Sequence, residues 1–267
     1  MRSYNRPISG RSCFRAAANT KLTHSLRYGA KPVLMLRKKT IAWLIHCYTA
    51  SGAVVGMLAL IAAAREELRL SFLLLLLAGF IDATDGMLAR RYKVSEILPK
   101  FSGAYMDNAV DVLTYIFVPI FIMAWIELLP SVYWVAVPIF AAMYAYGQVD
   151  MKTEDHYFLG FPSYWNVVAL YMWWLKPGPM GAVLLVTIPA LLTFIPTRYL
   201  YPSRNTFLWR TTWALGFVWC AICLYLLYQP EPDRTLVLIS SFYPLYYMFA
   251  SFYLEYRIRV GRRPAGS

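Results

Sequence analysis

Leu70-Ser-Phe-Leu-Leu-Leu-Leu-Leu-Ala-Gly-Phe-Ile-Asp82-Ala-Thr-Asp85-Gly86-Met-Leu-Ala89-Arg90 is apolar enough to enter a bilayer, yet it carries two carboxylates. Residues 91–102 follow, and then Gly103-Ala-Tyr-Met-Asp107-Asn-Ala-Val-Asp111 opens a second apolar stretch with two more. Each carboxylate costs about 2.5 to 3.5 kcal/mol in the middle of a membrane helix, so four of them mark a functional site by default. Asp82 and Asp85 are i, i+3 and share a helix face; Asp107 and Asp111 are i, i+4 and share another. At 1.5 Å per residue, Asp85 lies roughly 7 Å below Arg90 and Asp111 about 12 Å below Gly103. The two pairs can therefore face each other across adjacent antiparallel helices.

Outward from this stretch, apolar segments recur from Ile41 to Tyr256. The chain is 59% hydrophobic and 17% aromatic, with a mean hydropathy of +0.46. This pattern predicts an all-α, polytopic helical bundle. Eight spans are expected, near 41–64, 70–89, 103–126, 131–148, 163–175, 181–196, 210–228 and 235–256. The first apolar run begins only at Ile41 and is too long for a secretory signal. Residues 1–40 hold no acidic residue and read as a basic arm rather than a transit peptide, and residues 257–267 read as a basic tail.

The net charge of +12 invites a nucleic-acid reading, but the distribution of charge argues for a membrane instead. Lys and Arg number ten before Thr40, four at 90–100, one at Lys152, three at 198–210 and four after Tyr256. With both termini inside, those segments hold 22 of the 26 basic residues, and only Arg65, Arg69, Lys176 and Arg234 fall outside. That asymmetry predicts an N-in, C-in protein with the acids near the cytoplasmic face. The basic segments also suit anionic lipid headgroups. Cys220-Ala-Ile-Cys223 lies mid-span without a His or Cys partner nearby and reads as packing. Gly52-Ala-Val-Val-Gly56 permits close helix approach, and packing inside the subunit is favoured over a homodimer interface.

Four carboxylates in a medium of low dielectric repel one another, and divalent cations relieve that repulsion. Oxygen-only ligands select Mg2+ or Mn2+, and two such ions form a clamp for phosphoryl displacement. Arg90 can grip a phosphate, while Gly86, Ala89 and Gly103 leave room for a bulky ligand against the helix backbones. Together these describe a pyrophosphate site. A proton or ion pathway lined by acids is the competing reading, but a carrier would often show an internal repeat or helices broken in both halves, and neither is seen.

The full pattern, D-x-x-D-G-x-x-A-R followed by G-x-x-x-D-x-x-x-D, resembles the signature of the CDP-alcohol phosphotransferases. Asp82, Asp85, Gly86, Ala89, Arg90, Gly103, Asp107 and Asp111 all match it. The gap between Arg90 and Gly103 is longer than in most members and is similar to that of the bacterial phosphatidylcholine synthases. The stretch Glu154-Asp-His-Tyr-Phe-Leu-Gly-Phe-Pro-Ser-Tyr-Trp-Asn166 also looks like that subfamily. The resemblance implies a family core over 41–196 with two extra helices at 210–256, in a bacterial inner membrane. It implies CDP-diacylglycerol and choline as substrates, CMP as product, and two Mn2+ or Mg2+ ions on Asp82, Asp85, Asp107 and Asp111. Asp111 would also serve as general base. Gly86, Ala89 and Gly103 would accommodate the cytidine part and Arg90 the phosphates. Serine, inositol phosphate and glycerol phosphate are the rival acceptors.

Choline has no N–H, so aromatic faces should recognise it. Tyr105, Tyr115, Tyr144, Tyr146, Tyr157, Tyr164 and Trp165 lie near the inner side. Among these, Tyr105, Tyr144 and Trp165 are singled out as choline candidates. The loop at 149–162 adds Asp150, Glu154, Asp155 and His156.

Overall fold

A computed structural model of the chain describes residues 11–149, 151, 157–200 and 208–261, with side chains from Met35 to Val260. The loop residues Asp150, Glu154, Asp155 and His156 fall outside these, as do the first ten residues of the arm and the last six of the tail.

Helix α1 (Arg11–Ala64) runs without a break from the basic arm into the first apolar segment. A tight turn at residues 65–67, with Glu66 at φ 62°, reverses the chain into α2 (Leu68–Arg91). The two helices are stitched together by Ser71 Oγ donating to the Ala59 carbonyl at 2.8 Å, and by Tyr48 and Thr84 hydroxyls 2.8 Å apart. A short α3 (Val94–Ile97) occupies the connection to α4 (Gly103–Asp111), whose first turn is capped by Ser102 accepting from the Tyr105 N–H.

Helix α4 does not continue as a regular α-helix. Residues Val112–Phe117 form a π-helix before α5 (Val118–Trp125). Pro119 supplies the physical cause: it has no N–H, and its ring would press on the Tyr115 carbonyl in a regular turn. Gly52 and Gly56 of α1 make room for this wide segment. A Cβ at Gly52 would lie 2.9 Å from Val110 Cγ1, and one at Gly56 would lie 2.8 Å from Thr114 Cγ2. The G-x-x-x-G therefore packs within the subunit, as the sequence favoured.

A 3-10 turn (Val132–Val135) leads into α6 (Ala136–Gly147). Strand β1 (Tyr157–Leu159), α7 (Trp165–Leu175), α8 (Pro179–Thr193) and β2 (Arg198–Leu200) follow. The described residues end with α9 (Trp209–Tyr228), α10 (Arg234–Ser240) and α11 (Phe242–Gly261). The all-α expectation needs one addition: β1 and β2 pair antiparallel, Tyr157 opposite Leu200 and Leu159 opposite Arg198. Gly160, at φ 81°, closes this ribbon against α8; a Cβ there would sit 2.4 Å from the Thr193 carbonyl oxygen. Only glycine fits that approach.

Among the described residues, five helices are long and apolar enough to cross a membrane: Met35–Ala64, Leu68–Arg91, Gly103–Trp125, Trp209–Tyr228 and Arg234–Val260. The other three expected spans correspond to shorter helices. Val132–Gly147 and Pro179–Thr193 are apolar but short, and Trp165–Leu175 has 11 residues, about 16 Å of α-helix against a hydrocarbon core of about 30 Å. Prolines at 130, 162, 177, 179 and 196 trim these segments. Short α7 packs into the interior: Trp165, Ala169, Leu170 and Met172 are buried, and Trp173 stacks on Phe72 at 5.2 Å. Large apolar side chains such as Leu36, Phe140, Phe217 and Phe249 point outward, as an integral membrane protein requires.

Candidate active site

Asp82 on α2 and Asp107 and Asp111 on α4 bring carboxylate oxygens within 4.8 Å of one another. Asp111 is buried and the other two are half-buried. At that separation each ionised pair repels by about 3 kcal/mol for an effective dielectric near 20. A divalent cation among the three oxygens turns repulsion into ligation, and an all-oxygen donor set suits Mg2+ or Mn2+. Tyr115, in the π segment, donates its hydroxyl proton to Asp82 Oδ2 at 2.8 Å and so orients that carboxylate. Such wide turns often accompany functional sites.

Asp85 is also buried on α2 but stands outside this three-carboxylate group. Three residues advance an α-helix by about 300°, so Asp85 points some 60° away from Asp82. Asp107 and Asp111, four apart, stay better aligned.

Arg90 is exposed at the end of α2, and its guanidinium lies over Gly86. A Cβ on Gly86 would approach Arg90 Nη1 to 3.1 Å. Gly103 opens α4 directly against His46, whose Cε1 would be 2.9 Å from a Cβ there. Ala89 packs with Ala42, Ile45 and Val94, so its small side chain seats α2 on α1.

Beside the acids lies a cavity of about 200 Å3. Asp82 and Asp111 form one wall. Tyr115, Tyr146, Phe158, Phe161, Tyr164 and Trp213 line the rest with aromatic surface, and Ser163 adds a hydroxyl. Tyr115 and Tyr164 have ring centroids 6.2 Å apart. Among its described lining residues there is no lysine or arginine.

The three choline candidates from sequence are not brought to this cavity. Tyr105 is 83% exposed at the start of α4. Tyr144 packs on Phe194, with centroids 4.7 Å apart. Trp165 is fully buried, edge-on to Phe161. Tyr115, Tyr146 and Tyr164 belong to the inner-side aromatics named from sequence. Phe158, Phe161, Ser163 and Trp213 were missed. Trp213 could not be found from its own helix, because only the tertiary arrangement places α9 beside the acids. Gly160 and Pro162, which punctuate the Phe158–Ser163 turn, were the available signal there.

A family model for CDP-alcohol phosphatidyltransferases matches residues 39–218, which include every residue of the carboxylate group and the aromatic wall. The phosphatidylcholine synthase of Legionella pneumophila is 36% identical over 239 residues, covering 85% of this chain and 93% of that protein. That of Borreliella burgdorferi is 31% identical over 225 residues, 82% of this chain and 96% of its own length. That of Pseudomonas aeruginosa is 37% identical over 203 residues, 75% of this chain and 85% of its own length.

Proposed function

The chain belongs to the CDP-alcohol phosphatidyltransferase family and is a phosphatidyltransferase, and we propose that it moves the phosphatidyl group of CDP-diacylglycerol to choline, releasing CMP. The single observation that carries the choline assignment is the cavity: two carboxylates face an aromatic wall with no basic residue among the described lining. A quaternary ammonium suits aromatic faces, each contact contributing about 0.5 to 2 kcal/mol. An acceptor that already bears a phosphate would require a lysine or arginine, which the described lining residues do not include.

Asp82, Asp107 and Asp111 would hold a divalent cation, Mn2+ or Mg2+, with Asp85 one turn along α2 extending the donor set toward a second ion. When bound, such ions supply charge neutralisation at the pyrophosphate. Asp111 accepts the proton of the acceptor hydroxyl. The alcohol oxygen forms its bond to the phosphatidyl phosphorus as the bond to the CMP oxygen breaks, and CMP leaves with that electron pair. Arg90 binds phosphate oxygens where Gly86 lets its guanidinium lie flat. Gly86, Ala89 and Gly103 leave space for the cytidine part. The charge distribution supports a cytoplasm-facing site in a bacterial inner membrane, with both termini inside.

The test is a panel of alcohols offered to the purified protein with CDP-diacylglycerol and either metal. Choline should turn over fastest. Ethanolamine, a strongly hydrated primary ammonium, should be a much poorer acceptor. Serine or an inositol phosphate outpacing choline would refute the acceptor while leaving the family membership intact.

A further inference from the structure

Ser163 lines the aromatic cavity at only 1% exposure, and among the described residues its hydroxyl has no hydrogen-bond partner. A buried hydroxyl without a hydrogen-bond partner costs free energy, so an unpartnered one on a residue of a cavity wall points to an occupant. Its backbone is fixed on both sides. The Ser163 N–H donates to the Phe161 carbonyl at 2.8 Å, and the Ser163 carbonyl accepts from the Trp165 N–H at 2.8 Å. The residue sits at φ 56°, left-handed backbone that a serine rarely adopts. The chain thus holds Ser163 in an uncommon conformation, in the cavity wall that Tyr115, Tyr164 and Asp111 also line.

We infer that Ser163 is a binding residue for the acceptor's hydroxyl: its Oγ–H donates to the alcohol oxygen that Asp111 deprotonates. This rests on the proposed transfer to a small alcohol. The two contacts are compatible. The alcohol oxygen gives its proton to Asp111, accepts from Ser163 through one lone pair, and keeps the other for attack on phosphorus. The aromatic wall then holds the ammonium end, and Ser163 sets where the hydroxyl end points.

The experiment compares wild type with Ser163→Ala and Ser163→Gly. Both remove the hydroxyl, but glycine accepts the left-handed backbone freely and alanine does not. For each protein, the Michaelis constants for choline and CDP-diacylglycerol are measured. So is the inhibition constant of tetramethylammonium, which offers the same cation without a hydroxyl. The expected result is a three- to tenfold rise in the choline constant in both variants, the size of one lost hydrogen bond. The donor constant and the tetramethylammonium constant should stay within about twofold. An unchanged choline constant in either variant overturns the assignment, as does normal behaviour of Ser163→Gly beside a defective Ser163→Ala, which would place the role in the backbone. A tetramethylammonium constant rising in step with that of choline also overturns it, since Ser163 would then serve the cation end. Wild type that makes lipid from choline, with unaffected variants, removes this inference alone; wild type that makes none removes the acceptor reading as well.

Discussion

The three converging carboxylates divide into roles that single substitutions can separate. Asp111 is buried and lines the cavity, so Asp111→Asn should abolish turnover while keeping much of the affinity for CDP-diacylglycerol. Asp82→Asn or Asp107→Asn should weaken both donor binding and the response to metal; a titration of activity against Mn2+ or Mg2+ separates the two patterns. Near-normal turnover in Asp111→Asn would contradict its role as base. Tyr115→Phe tests the support of the site. It removes the 2.8 Å hydrogen bond to Asp82 and should raise the metal concentration for half-maximal activity about tenfold, in the range seen when groups behind metal ligands are removed. At this scale the aspartates were legible because acids are costly in apolar sequence and their spacing is helical. The hydroxyl of Ser163 was not, because its burial depends on a left-handed backbone that serine does not announce.

Among the elements, the seam between α1 and the π segment positions α4 against α2. Gly56→Leu should drive a side chain into Thr114 and Leu113, lowering the detergent melting temperature and activity together. A variant with normal melting and normal activity would refute the close approach. The G-x-x-x-G showed in sequence that some helix comes near, but not which one. Pro119 lies inside the span expected at 103–126, and the π segment it causes was not read from the sequence. The β1–β2 ribbon was invisible, since three-residue strands leave little periodic pattern. Its support is nevertheless orderly. Tyr247, Ser251 and Glu255 stand four apart on α11, and all three hydrogen-bond β2: the Tyr247 hydroxyl to the Leu200 carbonyl, Ser251 Oγ from the Leu200 N–H, and Glu255 from the Arg198 N–H. Buried Glu255 also pairs with the Arg198 guanidinium at 3.3 Å and with Arg259 at 2.6 Å. Because Phe158 and Leu159 of β1 line the cavity, Glu255→Gln should loosen that wall and raise the choline Michaelis constant more than the donor's. Kinetics in which the donor constant rises more would count against this link.

For the molecule as a whole, helical membrane character was legible from length and hydropathy, whereas the lengths of the individual helices were not. A window of apolar residues does not give the length of the helix it becomes, and α7, with 11 residues, is the clearest instance. Orientation rests on 22 of 26 basic residues lying in the segments assigned inside. Reporter fusions at Lys93 and at both termini should read cytoplasmic, and one near Lys176 external; an external reading at Lys93 would turn the carboxylates away from cytosolic choline. The central claim, phosphatidyl transfer to choline, is tested most directly with purified protein in detergent, CDP-diacylglycerol, choline and Mn2+ or Mg2+, following CMP and phosphatidylcholine together. The account predicts equal amounts of both products, formed only when metal and choline are present, and none from Asp111→Asn. Choline movement across a vesicle membrane with no CMP released would contradict it.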